Sequence, residues 1–484
     1  MITARRMAAV DANAAALGVP RKQLMESSGN AVARVVREVT GGADADDATE
    51  VAVVAGRGNN GGDAFVAVRF LDGFDTRTHL LGRPETISTD IARENYEALV
   101  EAEYDVETVS DSRALDLDDP DVVVDAMLGT GVTGALREPE AAAAEAINAT
   151  DATVVAVDVP SGVDADTGES TGIAVDADHV VTFHDEKPGL SSLDAKVHVA
   201  DIGIPAAAET FTGPGDLLAL SRDPQSHKGD HGEVLVVGGG PYTGAPALAA
   251  GAALRAGADL VRVACPEAVA REIQAYSENF ILVPFEGQVL EPDHVDGLLR
   301  RAAEHDVVVF GPGLGSDERT LDAVGDFLAR YDGRAVVDAD ALQVVPDVDT
   351  AATLVCTPHQ GELREMGGST SEDWRERRVL VESFAGELGH TLLVKGAYDV
   401  VSDGSETSVN RTGNPGMTVG GTGDVLAGVT GALCCTQGPL DAAAIAAYVN
   451  GLAGDRVVED NGFGLVATDL LAAVPAAMWG GRDE

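Results

Sequence analysis

The sequence is poor in lysine and in cysteine, and each scarcity argues against a class of protein. Only 5 of its 484 residues are lysine, and 80 acidic residues outnumber 33 basic ones, which gives a formal net charge of −47. Because phosphate backbones are bound by clustered lysine and arginine, nucleic acid is not an expected partner. The four cysteines have no CxxC spacing, so neither a zinc site nor a disulfide framework is expected.

Long apolar runs are missing as well. No run approaches the length of a membrane-spanning helix, and the first residues lack the apolar core of a secretion signal. We therefore expect a soluble cytoplasmic protein with no membrane partner. Its acidic residues are spread along the chain, as in DADD, DLDDPD and VDADTGE, which predicts an acidic surface over the whole fold. Concentrated salt screens such self-repulsion, so we hypothesise a salt-rich, halophilic cytoplasm.

Short β-rich apolar runs alternate with helical patterns, which is typical of a parallel sheet covered by helices. In the first two hundred residues we expect helices at 92–100 and 141–147 and strands at 51–55, 122–124 and 153–157. In the rest we expect helices from residue 423 onward, with stretches at 441–455 and 467–478, and strands at 234–237, 260–264, 307–310, 335–337, 354–356 and 392–394. The pattern lapses into Pro, Gly and polar residues at 206–226, so the sequence predicts two α/β domains divided there.

A glycine-rich segment, GRGNNGGDA (56–64), follows the first predicted strand. Gly56, Gly58 and Gly61 have the G-x-G-x-x-G spacing that places a dinucleotide at a helix N-terminus. A dehydrogenase also needs an acid at the end of the next strand, for the ribose. That strand runs into Leu81, Gly82 and Arg83. A plain oxidoreductase is therefore disfavoured.

Three more polar clusters follow predicted strands, where α/β sheets build their sites. Asp125 precedes a Gly-Thr-Gly loop, Asp158 precedes a Pro-Ser-Gly turn that contains Ser161, and Lys187 precedes a Pro-Gly turn. Each alone is also ordinary turn or cap chemistry. Their succession after consecutive strands favours a site.

The segments NNGGD, VDAMLGTG, AVDVPSGVDADTG and KPGL resemble the YjeF N-terminal domain, over residues 1–210. The resemblance implies a Rossmann-like three-layer domain that epimerises hydrated NADH and NADPH, with Asp158 as the catalytic acid-base group. It implies a potassium ion on Asn60, Asp125 and Ser161, whose oxygens suit a hard cation. The implied substrate-binding residues are Asn59, Asn60, Gly61, Gly62, Asp63, Gly129, Thr130, Gly131, Val132, Thr133, Gly134 and Ala135.

The strongest single motif is NRTGNPGMTVGGTGDVLAGVTGAL (410–433). Gly420, Gly421 and Gly423 lead into a predicted helix near Asp424, so bare backbone N–H groups and the helix dipole converge on one point. An acid at a helix start is often only a cap. Beside an anion hole it is also the base that takes a hydroxyl proton during phosphoryl transfer. No Walker sequence is present, which excludes P-loop chemistry.

Other strand ends in the second half supply further polar residues. LLVKGAYD carries Lys395, VVFGPGLGSD supplies a glycine turn, and VVDADAL supplies two acids. LVCTPHQGELREM places His359 and Glu362 at a strand-to-helix junction, where a histidine is more often a capping or surface residue than a ligand-binding one.

These motifs, with SHKGDHGEVLVVGGGPYTGAPALAAGAALRAGADLV at the start, resemble the YjeF C-terminal domain over residues 222–480. The resemblance implies a ribokinase-like three-layer domain that dehydrates NAD(P)H hydrate with ADP or ATP, with Asp424 catalytic and Mg²⁺ bridging the phosphates. The implied hydrate contacts are Ala245, Gly313 and His359. The implied nucleotide contacts are Lys395, Gly396, Ala397, Tyr398, Asp399 and Gly423.

Two alternatives stay open at this point. One is a ribokinase-like kinase of small hydroxylated metabolites, and the other is a non-catalytic binding module in the first half. The fusion of both motif sets favours a bifunctional repair enzyme, since an epimerase and a dehydratase act on the same damaged cofactor. We also expect a homo-oligomer, packed through the Ala-rich terminal helices.

Overall fold

The computed structural model describes residues 1–41, 49–131 and 134–480. The chain divides into two compact units, Met1–Ala208 and Glu209–Glu484. Two of the predicted substrate-binding residues, Val132 and Thr133, lie outside the described residues.

The first unit alternates strands and helices around one parallel sheet. Its elements are α1 (Ala4–Ala16), α2 (Arg21–Val39), β1 (Glu50–Ala55), α3 (Asn59–Arg69), β2 (Asp75–Leu81), α4 (Asp90–Glu101), β3 (Val106–Val109), β4 (Val122–Ala126), α5 (Glu140–Asn148), β5 (Thr153–Val157), β6 (His179–Phe183) and β7 (Lys196–Ala200). The strand order is β3-β2-β1-β4-β5-β6-β7, and each pair is parallel. The order reverses between β1 and β4, where the carboxyl ends of such strands form a crevice.

Both faces of this sheet are buried. Along β1, Val51, Val53 and Ala55 join a core with residues of α1, α2 and α3. The alternate residues Ala52 and Val54 join a second core with residues of α5. Because successive side chains of a strand point to opposite faces, two cores on one strand mean helices on both sides. The predicted three-layer, Rossmann-like architecture is confirmed.

The second unit has a nine-stranded sheet. A short helix, α6 (Ala207–Thr210), spans the division. The elements that follow are β8 (Glu233–Val237), α7 (Gly244–Arg255), β9 (Leu260–Ala264), α8 (Ala270–Gln274), β10 (Ile281–Leu282), α9 (Val295–Ala302), β11 (Val307–Phe310), α10 (Glu318–Arg330), β12 (Arg334–Val337), β13 (Thr353–Cys356), α11 (Gln360–Glu365), α12 (Trp374–Leu388), β14 (Thr391–Val394), β15 (Asp399–Ser402), β16 (Thr407–Asn410), α13 (Thr422–Cys434), α14 (Pro439–Asn461) and α15 (Ala467–Trp479).

Its strand order is β10-β9-β8-β11-β12-β13-β14-β15-β16. The pairs from β10 to β14 are parallel, and β15 and β16 add an antiparallel hairpin. Val234 and Val236 of β8 face a core with α7, α13, α14 and α15, while Leu235 and Val237 face a core with α9 and α10. The predicted three-layer α/β architecture is therefore confirmed here too.

No helix in the described ranges is both long and apolar enough to cross a membrane. The cysteine thiols are unpaired. Burial raises the pKa of the Cys356 thiol to about 12, so it is packed as a small apolar group rather than as a nucleophile.

Candidate active sites

The glycine-rich segment of the first unit wraps the start of α3. Asn59 is the first residue of that helix, and Gly58 precedes it without a side-chain cap. A β-carbon on Gly56 would lie 1.9 Å from the carbonyl oxygen of Met127, in the loop that follows β4. Glycine at position 56 therefore lets the loops after β1 and β4 meet at the point where the strand order reverses.

Three of the predicted polar residues converge at that point. Ser161 donates to Asp125 through both its backbone N–H (2.8 Å, to Oδ2) and its hydroxyl (2.7 Å, to Oδ1). The backbone N–H of Leu128 donates to Ser161 Oγ at 3.0 Å, and Asn60 Nδ2 donates to the Leu128 carbonyl at 3.0 Å. Asp125 is fully buried. Burial raises its pKa to about 6, and the hydrogen bonds from Ser161 and Met127 oppose that rise.

Asp158 follows β5 with a left-handed backbone, φ +66°. Its Oδ1 accepts a hydrogen bond from Thr182 Oγ1 at 3.2 Å and lies 3.0 Å from Lys187 Nζ. The predicted catalytic carboxylate is therefore ion-paired with the lysine of the KPGL turn.

Two more carboxyl groups surround this pair. Asp63, on α3, is buried. Its pKa is raised well above the ordinary value by burial, and repulsion from Asp158 and Asp11 adds to the rise. Burial also raises the pKa of Asp11, on α1, to about 6, although Arg21 and Lys187 oppose it. The cluster Asp11, Asp63, Asp158 and Lys187 thus combines an ion pair with two carboxyl groups that bind protons readily.

The loop after β4 carries the remaining predicted substrate residues. Gly129 lies against Asn60, because a β-carbon on it would be 3.3 Å from the amide of that side chain. Gly129 and Thr130 are half-buried, and Gly131, Gly134 and Ala135 are exposed. This loop and the start of α3 thus adjoin at the carboxyl edge of the sheet.

In the second unit, the Gly-Gly-Thr-Gly-Asp segment opens α13. Gly421, at φ +98°, precedes the helix without a side-chain cap, and Asp424 lies in its first turn. The first N–H groups of α13 therefore have no capping side chain, and the anion hole at this position stays a prediction. α13 packs along α7 at very close range, since a β-carbon on Gly428 would lie 2.1 Å from the Ala249 carbonyl oxygen.

Lys395, at the end of β14, connects several acids. Its Nζ lies 3.1 Å from Asp338 Oδ1 and 3.9 Å from Glu362 Oε2, and a β-carbon on Gly423 would be 3.3 Å from it. Burial alone would lower the pKa of Lys395, but attraction to Asp338 and Glu362 raises it. Burial raises the pKa of Asp424 to about 7. Repulsion from Asp338 adds to that rise, and attraction to Lys395 opposes it.

His359 is a helix cap. Its Nδ1 accepts hydrogen bonds from the backbone N–H groups of Gly361 and Glu362, both at 3.0 Å. The Glu362 carboxylate in turn accepts from the His359 N–H at 2.7 Å. Since Nδ1 is an acceptor, the neutral ring carries its proton on Nε2. The capping role named as the common alternative is present; the ring Nε2 lies 3.6 Å from Glu362 Oε1, and the His359 side chain is 59% exposed.

The predicted nucleotide segment, Lys395 to Asp399, forms a turn that is held by hydrogen bonds to the Asp399 carboxylate. Asp399 accepts from the Gly396 N–H at 2.9 Å and from Asn410 Nδ2 at 2.9 Å. The Tyr398 ring stacks on Trp374, with centroids 5.4 Å apart. Gly396 and Ala397 are exposed, so they are the part of this turn open to a ligand.

Ala245 and Gly313 lie side by side where the strand order of the second sheet reverses. A β-carbon on Gly313 would be 3.3 Å from that of Ala245. Sequence reasoning placed Lys187, Asp338 and Glu362 at strand ends but assigned them no role, and it missed Asp11. The only sequence signal for Asp11 is a single acid on the helix MAAVDANAAA.

Comparison with known proteins covers both units. A family model described as YjeF-related protein N-terminus matches residues 21–189, and one described as NAD(P)H-hydrate dehydratase matches residues 234–476. Among solved structures, the ADP/ATP-dependent NAD(P)H-hydrate dehydratase from Bacillus subtilis, co-crystallised with ATP and Mg²⁺, is 26% identical. It covers 55% of this chain and 97% of that one, with a TM-score of 0.48.

Full-length relatives carry one shared name, bifunctional NAD(P)H-hydrate repair enzyme Nnr. The protein from Pyrobaculum aerophilum is 45% identical over 98% of this chain and 97% of its own length. That from Methanothermobacter thermautotrophicus is 43% identical over 98% and 94%, and that from Archaeoglobus fulgidus is 42% identical over 99% and 98%. The chain belongs to the family of bifunctional NAD(P)H-hydrate repair enzymes.

Proposed function

We propose that this enzyme restores hydrated NADH and NADPH in two reactions. The first unit interconverts the R and S hydrates, and the second dehydrates the S hydrate at the expense of a nucleotide. The observation that carries the proposal is the match of one chain, over nearly its whole length, to bifunctional repair enzymes, together with a buried acid cluster at the carboxyl edge of each sheet. The catalytic domains are taken as residues 1–210 and 222–480.

In the first unit, Asp158 is the acid-base group for inversion at the carbon that bears the hydroxyl. Residues 59–63 and the loop 129–135 hold the hydrate beside it. The start of α3 and the open loop after β4 meet at the reversal of strand order, which is where parallel α/β sheets bind their ligands.

The same unit binds potassium through Asn60, Asp125 and Ser161. The donor set fits this ion, because amide, carboxylate and hydroxyl oxygens suit a hard cation. Asp125 is also fully buried, and among the described residues hydrogen bonds from Ser161 and Met127 are what oppose the burial that raises its pKa. The ion would fix the loop after β4 against the start of α3.

In the second unit, Asp424 is the base of a phosphoryl transfer. It takes the proton of the ring hydroxyl while that oxygen bonds to the terminal phosphorus and the shortened nucleotide leaves. The N–H groups at 420–423 bind the phosphoryl oxygens. The bond between the ring carbon and the ester oxygen then breaks, inorganic phosphate leaves, the neighbouring carbon loses a proton, and the nicotinamide double bond re-forms. Phosphate is a far better leaving group than hydroxide, which explains the use of a nucleotide.

The nucleotide, ADP or ATP, lies along residues 395–399 and Gly423. Exposed backbone at Gly396 and Ala397 supports this, as does the lysine ammonium next to Gly423. Magnesium bound to the nucleotide neutralises its phosphates. Ala245, Gly313 and the exposed side chain of His359 contact the hydrate.

A metabolite kinase with a non-catalytic first unit is not favoured. Asp158, Asp125 and Asn60 are all present, and the first two lie in built polar clusters. An Asp158→Asn variant with an unchanged epimerisation rate would restore that alternative.

The decisive measurement follows reduced-nicotinamide absorbance from a mixture of both hydrate epimers, in molar potassium chloride with magnesium and either ADP or ATP. Full recovery that depends on nucleotide supports both activities and identifies the donor. Recovery of one epimer alone would contradict the epimerase activity of the first unit. No recovery of either epimer would contradict the whole proposal.

The acidic composition supports a salt-rich cytoplasm as the site of action, and the unpaired buried thiols suit a reducing compartment. The free energy of unfolding should rise from dilute to molar salt as repulsion is screened. A flat response would contradict this. The homo-oligomer stays a prediction, for light scattering to test.

A further inference from the structure

The side chain of Lys187 is more deeply buried than those of Lys22, Lys196 and Lys395. Its side chain is 0% exposed, whereas those of Lys22 and Lys196 are more than half exposed and pair with surface glutamates. A buried ammonium group is costly unless ligands replace its water. The free-energy cost of burying the Lys187 ammonium group therefore indicates a role other than keeping the protein soluble.

The ligands of this ammonium group come from two neighbouring strand ends. Lys187 Nζ donates to the backbone carbonyls of Phe183 at 2.9 Å and Asp185 at 3.4 Å. The Asp158 Oδ1 atom lies 3.0 Å away. The ammonium group therefore joins the carboxyl end of β6 to the residue that follows β5.

Asp158 is held by its surroundings in an unusual conformation. Its left-handed backbone costs energy for a residue other than glycine. Its N–H donates to the Val181 carbonyl at 2.8 Å. Thr182 Oγ1, from the same neighbouring strand, donates to Oδ1. Two donors on Oδ1 restrict the rotation of the Asp158 carboxylate.

We propose that Lys187 is the positioning residue of epimerisation, holding the Asp158 carboxylate in one orientation by binding its Oδ1. This rests on the proposed function of the first unit. Without the ammonium group, the carboxylate faces the acidic groups of Asp63 on α3 and Asp11 on α1. Among the described residues, Arg21 on α2 and His184 after β6 also act electrostatically on Asp11.

A purely structural role for Lys187, as a clasp on the turn after β6, is the competing explanation. The two explanations differ in whether the effect of removing the Lys187 ammonium group depends on the carboxylate of Asp158. A clasp acts whether or not position 158 carries a charge. A positioning residue loses its effect once the carboxylate is an amide.

The experiment is a double-mutant cycle of Lys187→Met and Asp158→Asn in the full-length chain, with Lys196→Met as the matched control. The epimerisation rate and the dehydration rate are measured separately. We expect Lys187→Met to lower kcat of epimerisation about 100-fold with KM changed less than about threefold, the size of a lost acid-base contribution. Dehydration of the S hydrate and the Lys196→Met variant should keep wild-type rates.

In the Asp158→Asn background, Lys187→Met should cause no further loss. Equal losses in both backgrounds would overturn the proposal in favour of a clasp, and so would an unchanged kcat in the single variant. Should Lys187→Met fail to fold, Lys187→Gln and Thr182→Val apply the same cycle to the same oxygen, with about a tenfold loss expected from each. Wild-type chain without epimerisation would instead refute the function of the first unit.

Discussion

The two sites use the same residue types in opposite arrangements. In the first unit the buried lysine, Lys187, pairs with Asp158, the carboxylate assigned to the reaction. In the second, Lys395 pairs with Asp338, and Asp424 has no ion pair with a basic side chain in the part of the chain that the structure describes. In the second site burial raises the pKa of Asp424 to about 7, and attraction to Lys395, which pairs with Asp338 instead, only partly opposes that rise.

The largest expected effect comes from removing the carboxylate that has no lysine partner. Asp424→Asn should lower dehydration about 10³-fold, since the amide cannot take the hydroxyl proton, and it should leave epimerisation intact. Initial rates of both reactions on the same preparation measure this. Asp469→Asn, another acid in a first helical turn, is the control and should keep both rates. Equal loss of both activities in Asp424→Asn would contradict the assignment of one reaction to each unit.

Removing the lysine-paired carboxylate should act on the other reaction alone. Asp158→Asn should lower epimerisation about 10²-fold while dehydration of pure S hydrate is unchanged. Chiral separation of the hydrates against time measures it. Asp164→Asn, in a turn where Oδ1 accepts from two backbone N–H groups, should lower stability but not rate. A normal Asp158→Asn rate would reduce the first unit to a binding module.

The pH dependence sharpens the comparison further. Asp424 must be ionised to act as base, so kcat/KM of dehydration should fall about tenfold per pH unit below the pKa of about 7 and level off above it. Asp338→Asn removes a negative charge that raises the Asp424 pKa, so the midpoint should move to lower pH. Asp340→Asn, two residues further on, should leave it in place. A midpoint that moves upward in Asp338→Asn would contradict the arrangement around Lys395.

The smallest expected effect is that of potassium, which should stabilise the first unit against heat but not the second. At a potassium concentration ten times its Kd, the first unit should gain about 1.4 kcal/mol of stability, or a few degrees in the midpoint of thermal inactivation. Inactivation of epimerisation and of dehydration is followed in potassium and in tetramethylammonium at equal ionic strength. Only the epimerisation midpoint should shift, and Ser161→Ala should reduce the shift. Equal shifts in both activities would mean general screening by salt.

Much of the fold follows from the sequence because apolar runs of four or five residues mark buried strands. The predicted strands at 153–157, 260–264 and 307–310 have the observed bounds. The exposed edge strand β3 and the β15–β16 hairpin were not predicted. An edge strand carries no continuous apolar run, and β15 begins only five residues after β14 ends, too soon for the alternation to register.

The sequence predicts the residues of the candidate sites that lie within short motifs, but not the contacts between distant segments of the chain. The motifs and the family resemblance name Asp158, Asp424 and Lys395, and in the structure each of them lies among other charged side chains. Pairings across strands, such as Lys395 with Asp338, depend on strand order and cannot be read from spacing. The capping geometry of His359 likewise depends on the turn before α11.

The contact between Gly428 and the Ala249 carbonyl has a consequence for how this chain tolerates change. Backbone meets backbone there, so the separation of α7 and α13 is not set by side-chain volume. Apolar residues elsewhere along both helices can therefore change in size while the start of α13 keeps its distance from Ala245. A methyl group at position 428 would push α13 away from α7 and move the start of that helix. The role of glycine at position 428 is therefore to set the distance between two helices rather than to take part in the chemistry.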